Sequence, residues 1–235
     1  MNKKSYYKAS NWNAVEDQVD RSAWARLNDI VYEPRRVPIH KDRDEFSHLP
    51  KAEQTMLLHS FGSLALSSTL QMKVSLSKIK QDAENSEEAA VYNALQYLES
   101  INNKAYGHAL SEFSISDEQR DEAFNWANQN PYLQKKMRLL NTVYQSENAI
   151  QKKAAHVFLS TGLYHSSFFG PLYLFGQHKL PRTAELIKYA LRITTLNGIY
   201  TGIKFRRDYF KLSKEEQENV HNWVYGLDRK STRLN

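Results

Sequence analysis

Four polar side chains on one predicted helix are the residues of this sequence best suited to chemistry. They are Glu99, Asn102, Asn103 and Tyr106, at positions i, i+3, i+4 and i+7, and this spacing places them on one helix face. A carboxylate, two amides and a phenol could bind a ligand or hold and move protons. The competing interpretation is a polar stripe turned to solvent, and the residue types alone do not choose between the two.

Two later segments also carry polar groups at helical spacing. In the segment 191–200, Thr194 and Asn197 stand three residues apart. The segment 157–169 is dense in aromatic and small polar residues, a composition that usually serves core packing against a neighbouring helix. These segments are therefore the second and third candidates for a functional site.

The elements that must position these residues are predicted to be helices. Apolar residues recur at three- and four-residue spacing over most of the chain, and alternating strand patterns are scarce. The pattern predicts helices over about 11–30, 50–80, 86–113, 117–130, 131–144, 149–169 (ended by Gly170 and Pro171), from after Thr183 to 210, and 213–227. The expected fold class is all-α, a single helical bundle of about eight helices.

Composition narrows the function classes. The chain has 235 residues, 41% hydrophobic and 25% charged, which is typical of a globular domain. It has no cysteine, which excludes disulfides, a thiolate nucleophile and Cys-ligated metal sites. No apolar run approaches the ~18 residues of a membrane span, and residues 1–6 lack a signal-peptide core. We therefore expect no membrane association and a cytoplasmic location.

The net charge of +6 does not by itself indicate a nucleic-acid partner. The charges lie in mixed-sign runs such as 51–53 and 211–218, which are typical of solvated helix faces. We therefore expect no nucleic-acid partner. A generic basic helical binding protein is the alternative that the charge alone supports, and salt-dependent DNA binding would distinguish it.

The last eight residues are predicted to be foreign to the domain. The segment 228–235 (Asp-Arg-Lys-Ser-Thr-Arg-Leu-Asn) is similar to the translation of a common sequencing adapter, and its composition differs from the amphipathic helix before it. We therefore predict a domain over 1–227, incomplete at its C-terminus, followed by a non-native tail over 228–235.

Several sequence blocks follow one another in a characteristic order and spacing, at 11–17, 61–71, 99–106, 133–136, 152–159, 166–173 and 198–205. Through these blocks, from about Asn11 to Leu227, the chain resembles the radical-generating small subunit of class Ib ribonucleotide reductase. The resemblance implies a ferritin-like helical bundle whose core holds two iron or two manganese ions. Their ligands in that family occupy six positions, filled by an Asp, Glu residues and two Glu-x-x-His units.

Most of these ligand positions have changed. The resemblance places the Asp at Ser68, the first Glu-x-x-His unit at Glu99 and Asn102, the next Glu at Ser160, and the second Glu-x-x-His unit at Thr194 and Asn197. Glu99 is the one ligand type retained. Hydroxyls and amides are neutral, weak ligands, so we predict that the chain binds no metal and needs no cofactor.

The resemblance also assigns the residues of electron transfer. Tyr106 matches the tyrosine that carries the radical, while Tyr32, Ile193 and Asn102 stand at the Trp, Asp and His of the relay toward the large subunit. A subset of the family binds no metal and uses a modified tyrosine, but it keeps the histidines and gains a Lys at a ligand position. The match to that subset is therefore partial.

Two functions follow from the resemblance. The first is a metal-free small subunit that supplies a tyrosyl-type radical for reduction of ribonucleoside diphosphates, as a homodimer with a large catalytic subunit and a flavodoxin-like activator. The second is a non-catalytic paralogue that keeps the fold and the dimer surface as an interaction or regulatory protein. A radical signal or genetic complementation would support the first.

Overall fold

The structure is a computed structural model that describes residues 9–114 and 116–232. Segment 1–6 and the last three residues of the predicted tail lie outside the described residues. The helices, in chain order, are α1 (Gln18–Asp29), α2 (Arg43–His48), α3 (Lys51–Leu70), α4 (Leu76–Lys80), α5 (Ser86–Phe113), α6 (Asp117–Gln129), α7 (Pro131–Tyr144), α8 (Ala149–Phe158), α9 (Tyr164–Gly176), α10 (Pro181–Lys211) and α11 (Lys214–Thr232).

Two π-helical segments join pairs of these helices into longer continuous helices, which we call rods. Gln71–Ser75 joins α3 to α4, and Leu159–Leu163 joins α8 to α9. The described residues therefore form nine continuous helical rods. The predicted all-α bundle is confirmed, and the rod beyond the expected eight is the short α2.

Side-chain caps fix several helix starts where the sequence predicts them. Asn85 accepts a hydrogen bond from Glu88 N at 2.7 Å, and Ser116 accepts one from Gln119 N at 3.3 Å. Each cap satisfies a backbone N–H that has no partner within the helix. Asp42 caps α10 from a distant segment, since its carboxylate accepts the Thr183 N–H at 2.6 Å.

Four predicted helix limits are wrong. The first helix begins at Gln18 rather than near residue 11, because Asp17 caps it by accepting from Val19 N. The helix predicted to stop at 169 continues through Pro171 to Gly176. Gly170 lets this helix approach α3 closely, since any Cβ there would lie 2.5 Å from Ser60 Oγ.

The start of α10 and the end of α11 also differ. α10 begins at Pro181 rather than after Thr183, because the missing N–H of a proline costs no hydrogen bond in the first turn of a helix. α11 continues to Thr232, past the predicted end at 227. Segment 228–232 contains neither Gly nor Pro, and the basic residues Arg229 and Lys230 favour the helix C-terminus. The foreign origin of this tail stays a prediction.

The rods pack around one core. α3 packs on α5, α6 and α9, whereas α10 packs on α8, α9 and α5. Gly198 lets α10 approach the second π segment closely, since a Cβ at that position would lie 2.6 Å from Thr161 Cγ2. Four helices thus come together at the centre of the bundle.

Within residues 9–114 and 116–232, no helix combines the length and apolarity that a membrane span requires.

A buried ionic cluster holds one end of this core. Lys204 of α10 contacts Asp20 of α1 at 3.2 Å and Glu88 of α5 at 3.1 Å, and all three are at most 4% exposed. Lys153 of α8 pairs with Asp208 of α10 at 2.6 Å. Because a buried charge is costly unless paired, the cluster ties these four helices to one arrangement.

We expect Lys204→Met to destabilise the protein by about 3–5 kcal/mol, since it removes the cation that contacts the buried Asp20 and leaves Glu88 with the longer 3.9 Å contact to Lys153. Urea denaturation followed by circular dichroism would measure the change. Lys188→Met, at an exposed position of the same helix, is the matched control and should change stability by less than about 0.5 kcal/mol. Equal effects of the two substitutions would contradict a compensating role for Lys204.

Candidate functional site

Four stripes of polar side chains converge at the centre of the bundle, one from each of four rods. Each stripe has helical spacing of three or four residues. The buried members are Ser68, Gln71 and Ser75 on the α3 rod, Glu99, Asn102 and Tyr106 on α5, His156, Ser160 and Tyr164 on the α8–α9 rod, and Thr194, Asn197 and Thr201 on α10. The polar stripe on α5 therefore faces the core, and the solvent-facing interpretation is wrong for these three residues.

Glu99 lies at the meeting point of the stripes and is fully buried. Its Oε2 accepts a hydrogen bond from Ser68 Oγ at 3.3 Å and a long one from Tyr164 at 3.5 Å. Its Oε1 accepts from Asn197 Nδ2 at 3.5 Å. Ser68 Oγ also donates to the Glu99 carbonyl at 2.8 Å. One carboxylate is thus surrounded by neutral donors from three other helical rods.

Burial controls the protonation of Glu99. Desolvation raises its pKa from 4.5 to about 7, and the hydrogen bonds from Asn197, Asn102 and Ser68 oppose that rise. Desolvation disfavours the charged form, whereas donors stabilise it. Glu99 therefore changes charge near neutral pH.

Asn197 links the carboxylate to two residues that sequence reasoning missed. Its Nδ2 donates to Gln71 Oε1 at 2.9 Å, and its Oδ1 lies 2.7 Å from His156 Nε2. Burial lowers the pKa of His156 to about 4, against the opposing effect of the Asn197 hydrogen bond. His156 is therefore a neutral imidazole whose Nε2–H donates to the amide oxygen.

Tyr106 reaches Glu99 through another phenol. The hydroxyl oxygens of Tyr106 and Tyr164 lie 3.3 Å apart, and both side chains are fully buried. Burial raises the pKa of both phenols well above its ordinary value. Both phenols are therefore neutral at physiological pH.

Tyr32 stands at the edge of the site. Its hydroxyl donates to Asn102 Oδ1 at 3.2 Å, and its ring stacks on Tyr189 with centroids 5.0 Å apart. Burial, together with the Glu99 carboxylate, raises the pKa of Tyr32 above its ordinary value. The hydrogen-bond acceptor of this phenol is an amide, which is a poor base. Ile193 is fully buried among apolar side chains of the core.

Not every predicted residue joins the hydrogen-bond network. Thr194 Oγ1 donates to the Ala190 carbonyl of its own helix at 3.0 Å. Ser160 Oγ is buried without a hydrogen-bond partner among the described residues. Asn103 is only half-buried and donates to the Ala65 carbonyl of α3 at 2.9 Å.

A sequence signal for the missed residues exists. His156 and Tyr164 lie four residues before and after Ser160, and Gln71 lies three residues after Ser68. Extending the helical period from the two Ser positions would have selected all three. The aromatic segment 157–169, interpreted as packing, thus also contributes a polar contact through Tyr164.

The donor set does not fit a pair of divalent ions. Among the six predicted ligand positions Glu99 alone can carry negative charge, and its oxygens are already engaged by protein donors. In the described part of the chain, no three Asp, Glu, His or Cys side chains are grouped as a metal site would require. A site of hydroxyls and amides cannot neutralise four positive charges in a desolvated core.

A family model and individual relatives of known sequence point to the same protein family. Residues 9–234 match the family described as ribonucleotide reductase, small chain. Ribonucleoside-diphosphate reductase subunit beta nrdF1 of Mycobacterium tuberculosis is 33% identical over 219 residues, which are 93% of this chain and 68% of that protein. Ribonucleoside-diphosphate reductase 2 subunit beta of Escherichia coli is 29% identical over 225 residues, 96% of this chain and 70% of that protein.

Solved structures agree in fold. The dimanganese(II)-NrdF of Streptococcus sanguinis superposes with a TM-score of 0.95 at 38% identity, covering 97% of this chain and 81% of that one. The R2 subunit of Clostridium botulinum, at 16% identity, shares the fold with a TM-score of 0.85 over 96% of this chain and 74% of that one. The predicted ferritin-like bundle is thereby confirmed.

The raised pKa of Glu99 predicts how the free energy of unfolding depends on pH. The native state binds this proton more tightly than the unfolded state, so the stabilisation is complete below about pH 4.5 and is lost as pH rises through about 7. The unfolding free energy of Glu99→Gln minus that of the parent should therefore rise by up to about 3 kcal/mol as pH increases from about 4.5 to above 7.

Urea denaturation at successive pH values would measure this difference. His156 contributes the opposite slope, because its lowered pKa makes stability fall as pH drops from 6.5 toward about 4. For that reason the informative quantity is the variant minus the parent, which cancels the His156 contribution. The exposed Glu147→Gln is the control, and a Glu99→Gln difference as flat as the control would contradict the raised pKa.

Proposed function

We propose that this chain, which belongs to the ribonucleotide reductase small-chain family, supplies an oxidising equivalent from Tyr106 without a bound metal. As a family member it is the small subunit of a ribonucleoside-diphosphate reductase. The metal-free radical chemistry is the new element. It rests on one observation: Glu99, the one carboxylate among the six ligand positions, is buried and surrounded by neutral hydroxyl and amide partners.

The neutral site suits a radical tyrosine for a physical reason. Tyr106 is fully buried and its hydroxyl contacts another phenol, so water is kept from the oxidised ring. The same desolvation would make a pair of divalent ions costly when Glu99 is the one available anionic ligand. A modified Tyr106 would keep these contacts at its hydroxyl.

The proposal includes partners. A large subunit would hold the ribonucleoside diphosphate and the redox cysteines, since this chain has no cysteine. We further propose a homodimer, a flavodoxin-like activator as the source of the oxidant, and a cytoplasmic location.

A specific observation favours a second candidate, a non-catalytic paralogue that serves as an interaction or regulatory protein. Tyr32, at the predicted relay position, donates to the amide oxygen of Asn102. Ile193, at the position of the relay Asp, is part of the apolar core. An amide and an alkyl group cannot take up the proton that an oxidised Tyr32 would release, so this arrangement interrupts transfer along the predicted relay.

The metal-free site predicts that purified parent protein, loaded anaerobically with Mn(II) or Fe(II), retains no tightly held metal. A variant combining Ser68→Asp, Asn102→His, Ser160→Glu, Thr194→Glu and Asn197→His should retain about two ions per chain, because it restores the anionic charge and the imidazoles. Elemental analysis would measure both, with circular dichroism to confirm folding. The variant with the two histidines alone is the control and should bind none, and two ions in the parent would overturn the metal-free proposal.

The radical function predicts a tyrosyl-type electron paramagnetic resonance signal after co-expression with a flavodoxin-like activator, and loss of that signal in Tyr106→Phe. The same pair should differ in rescuing a strain that lacks its own small subunit. Absence of both signal and rescue, with an unmodified mass for Tyr106 and a folded dimer, would instead support the non-catalytic paralogue. Tyr144→Phe is the matched control for removing a buried phenol oxygen.

A further inference from the structure

Tyr164 is the second phenol of the site and lies between Tyr106 and Glu99. Its hydroxyl oxygen is 3.3 Å from that of Tyr106 and 3.5 Å from Oε2 of Glu99. All three side chains are fully buried. The three groups therefore form a short line, phenol to phenol to carboxylate, closed off from solvent.

Loss of an electron from Tyr106 requires loss of its proton as well. A phenol that has lost one electron is a strong acid, and in a desolvated core its proton needs an acceptor within hydrogen-bond distance. Among the described side chains, the group hydrogen-bonded to the Tyr106 hydroxyl is Tyr164. A neutral phenol can accept a proton only if it passes on its own.

The contacts of Tyr164 allow this exchange. A hydroxyl has one proton to donate and lone pairs to accept. The Tyr164 hydroxyl lies in donor geometry toward both Tyr106 and Glu99, but it has one proton to give, and the carboxylate is the stronger acceptor. With that proton directed to Glu99, the Tyr164 oxygen can accept from Tyr106 once the Tyr106 hydroxyl rotates toward it. The 3.5 Å contact is long, and a small approach of the two groups would bring it into the ordinary range.

We propose that Tyr164 relays the Tyr106 proton to Glu99 when Tyr106 is oxidised. This rests on the proposed function, since Tyr106 must be the residue that gives up the electron. The electron passes to a one-electron oxidant. The O–H bond of Tyr106 breaks as one forms on the Tyr164 oxygen, while the original O–H bond of Tyr164 breaks and one forms on Oε2 of Glu99. The products are a neutral Tyr106 radical, an unchanged Tyr164 and a neutral carboxylic acid, and reduction reverses each transfer.

The surrounding structure fixes the position of Tyr164 between Tyr106 and Glu99. Tyr164 is the first residue after the π segment Leu159–Leu163, and its ring packs on Phe168 with centroids 5.3 Å apart. π segments often occur where a helix must turn a side chain toward a functional site. Here that segment ends where the Tyr164 hydroxyl faces Glu99.

The relay can be tested without the natural activator. Because the chain has no cysteine, Ser100→Cys on the exposed face of α5 gives a single attachment point for a ruthenium polypyridyl complex. Six residues of helix separate it from Tyr106, a rise of roughly 9 Å. Tyr97→Phe in the same background removes an exposed competing phenol. Flash-quench generates ruthenium(III), and freeze-trapping with electron paramagnetic resonance measures the tyrosyl radical.

We compare this background with Tyr164→Phe, Tyr106→Phe and the buried control Tyr144→Phe. The background and the control should give the same Tyr106 radical yield, with an exchangeable-deuteron coupling from the Tyr164 hydroxyl after exchange into D₂O. Tyr164→Phe should abolish that coupling and lower the yield by at least about tenfold, since positioned proton transfer contributes about 10²–10⁴ in rate. Circular dichroism verifies that each variant is folded.

The other outcomes separate the two proposals. A Tyr106 radical whose yield and deuteron coupling are unchanged by Tyr164→Phe would overturn the relay and leave the proposed function intact. A signal that survives Tyr106→Phe but disappears in Tyr164→Phe would place the radical on Tyr164 and overturn the relay. No tyrosyl radical in the core of the folded background would contradict both the relay and the proposed function.

Discussion

The burial of one carboxylate, Glu99, governs the arrangement of the site. Moving a charged group out of water costs several kcal/mol unless donors replace the solvent. In this chain the donors come from three other helical rods: Ser68, Asn197 and Tyr164. The arrangement of the centre follows from that demand, since each rod must turn a small or polar side chain toward a single point. What remains of the cost appears in the pKa of Glu99, which burial raises to about 7.

The ionic cluster and the site around Glu99 differ in how their buried charges are stabilised. In the ionic cluster, Lys204 and Lys153 meet carboxylates on α1, α5 and α10, so the opposite charges compensate each other. Around Glu99 the surrounding groups are neutral, and His156 is neutral because burial lowers its pKa to about 4. α5 and α10 pass through both regions. The ionic cluster therefore sets the separation of the same helices whose side chains must meet at Glu99.

The hydrogen-bond partners of Tyr106 and Tyr32 differ in whether they can accept a proton. The Tyr106 hydroxyl contacts Tyr164, which in turn contacts the carboxylate of Glu99, and a carboxylate is a base when it is ionised. The outer phenol, Tyr32, ends on the amide of Asn102. The contacts of Tyr106 therefore favour the proposed radical function, whereas the contact of Tyr32 with an amide favours the non-catalytic alternative.

The sequence by itself determined the features that depend on neighbouring residues. Helix starts at Ser86 and Asp117 could be predicted because Asn85 and Ser116 carry the capping side chains, and the stripe of Glu99, Asn102 and Tyr106 follows from the helical period alone. Only the tertiary structure decided which stripes meet. His156 and Asn197 are 41 positions apart and touch because α8 and α10 pack together, while Asn103, on the predicted stripe, turns to α3 instead. The two π segments also lie against neighbouring rods, Gln71–Ser75 against α5 and Leu159–Leu163 against α10. Caps and periodicity are local hydrogen-bond geometry, whereas contacts between rods depend on how whole helices pack, and no short window of sequence contains that information.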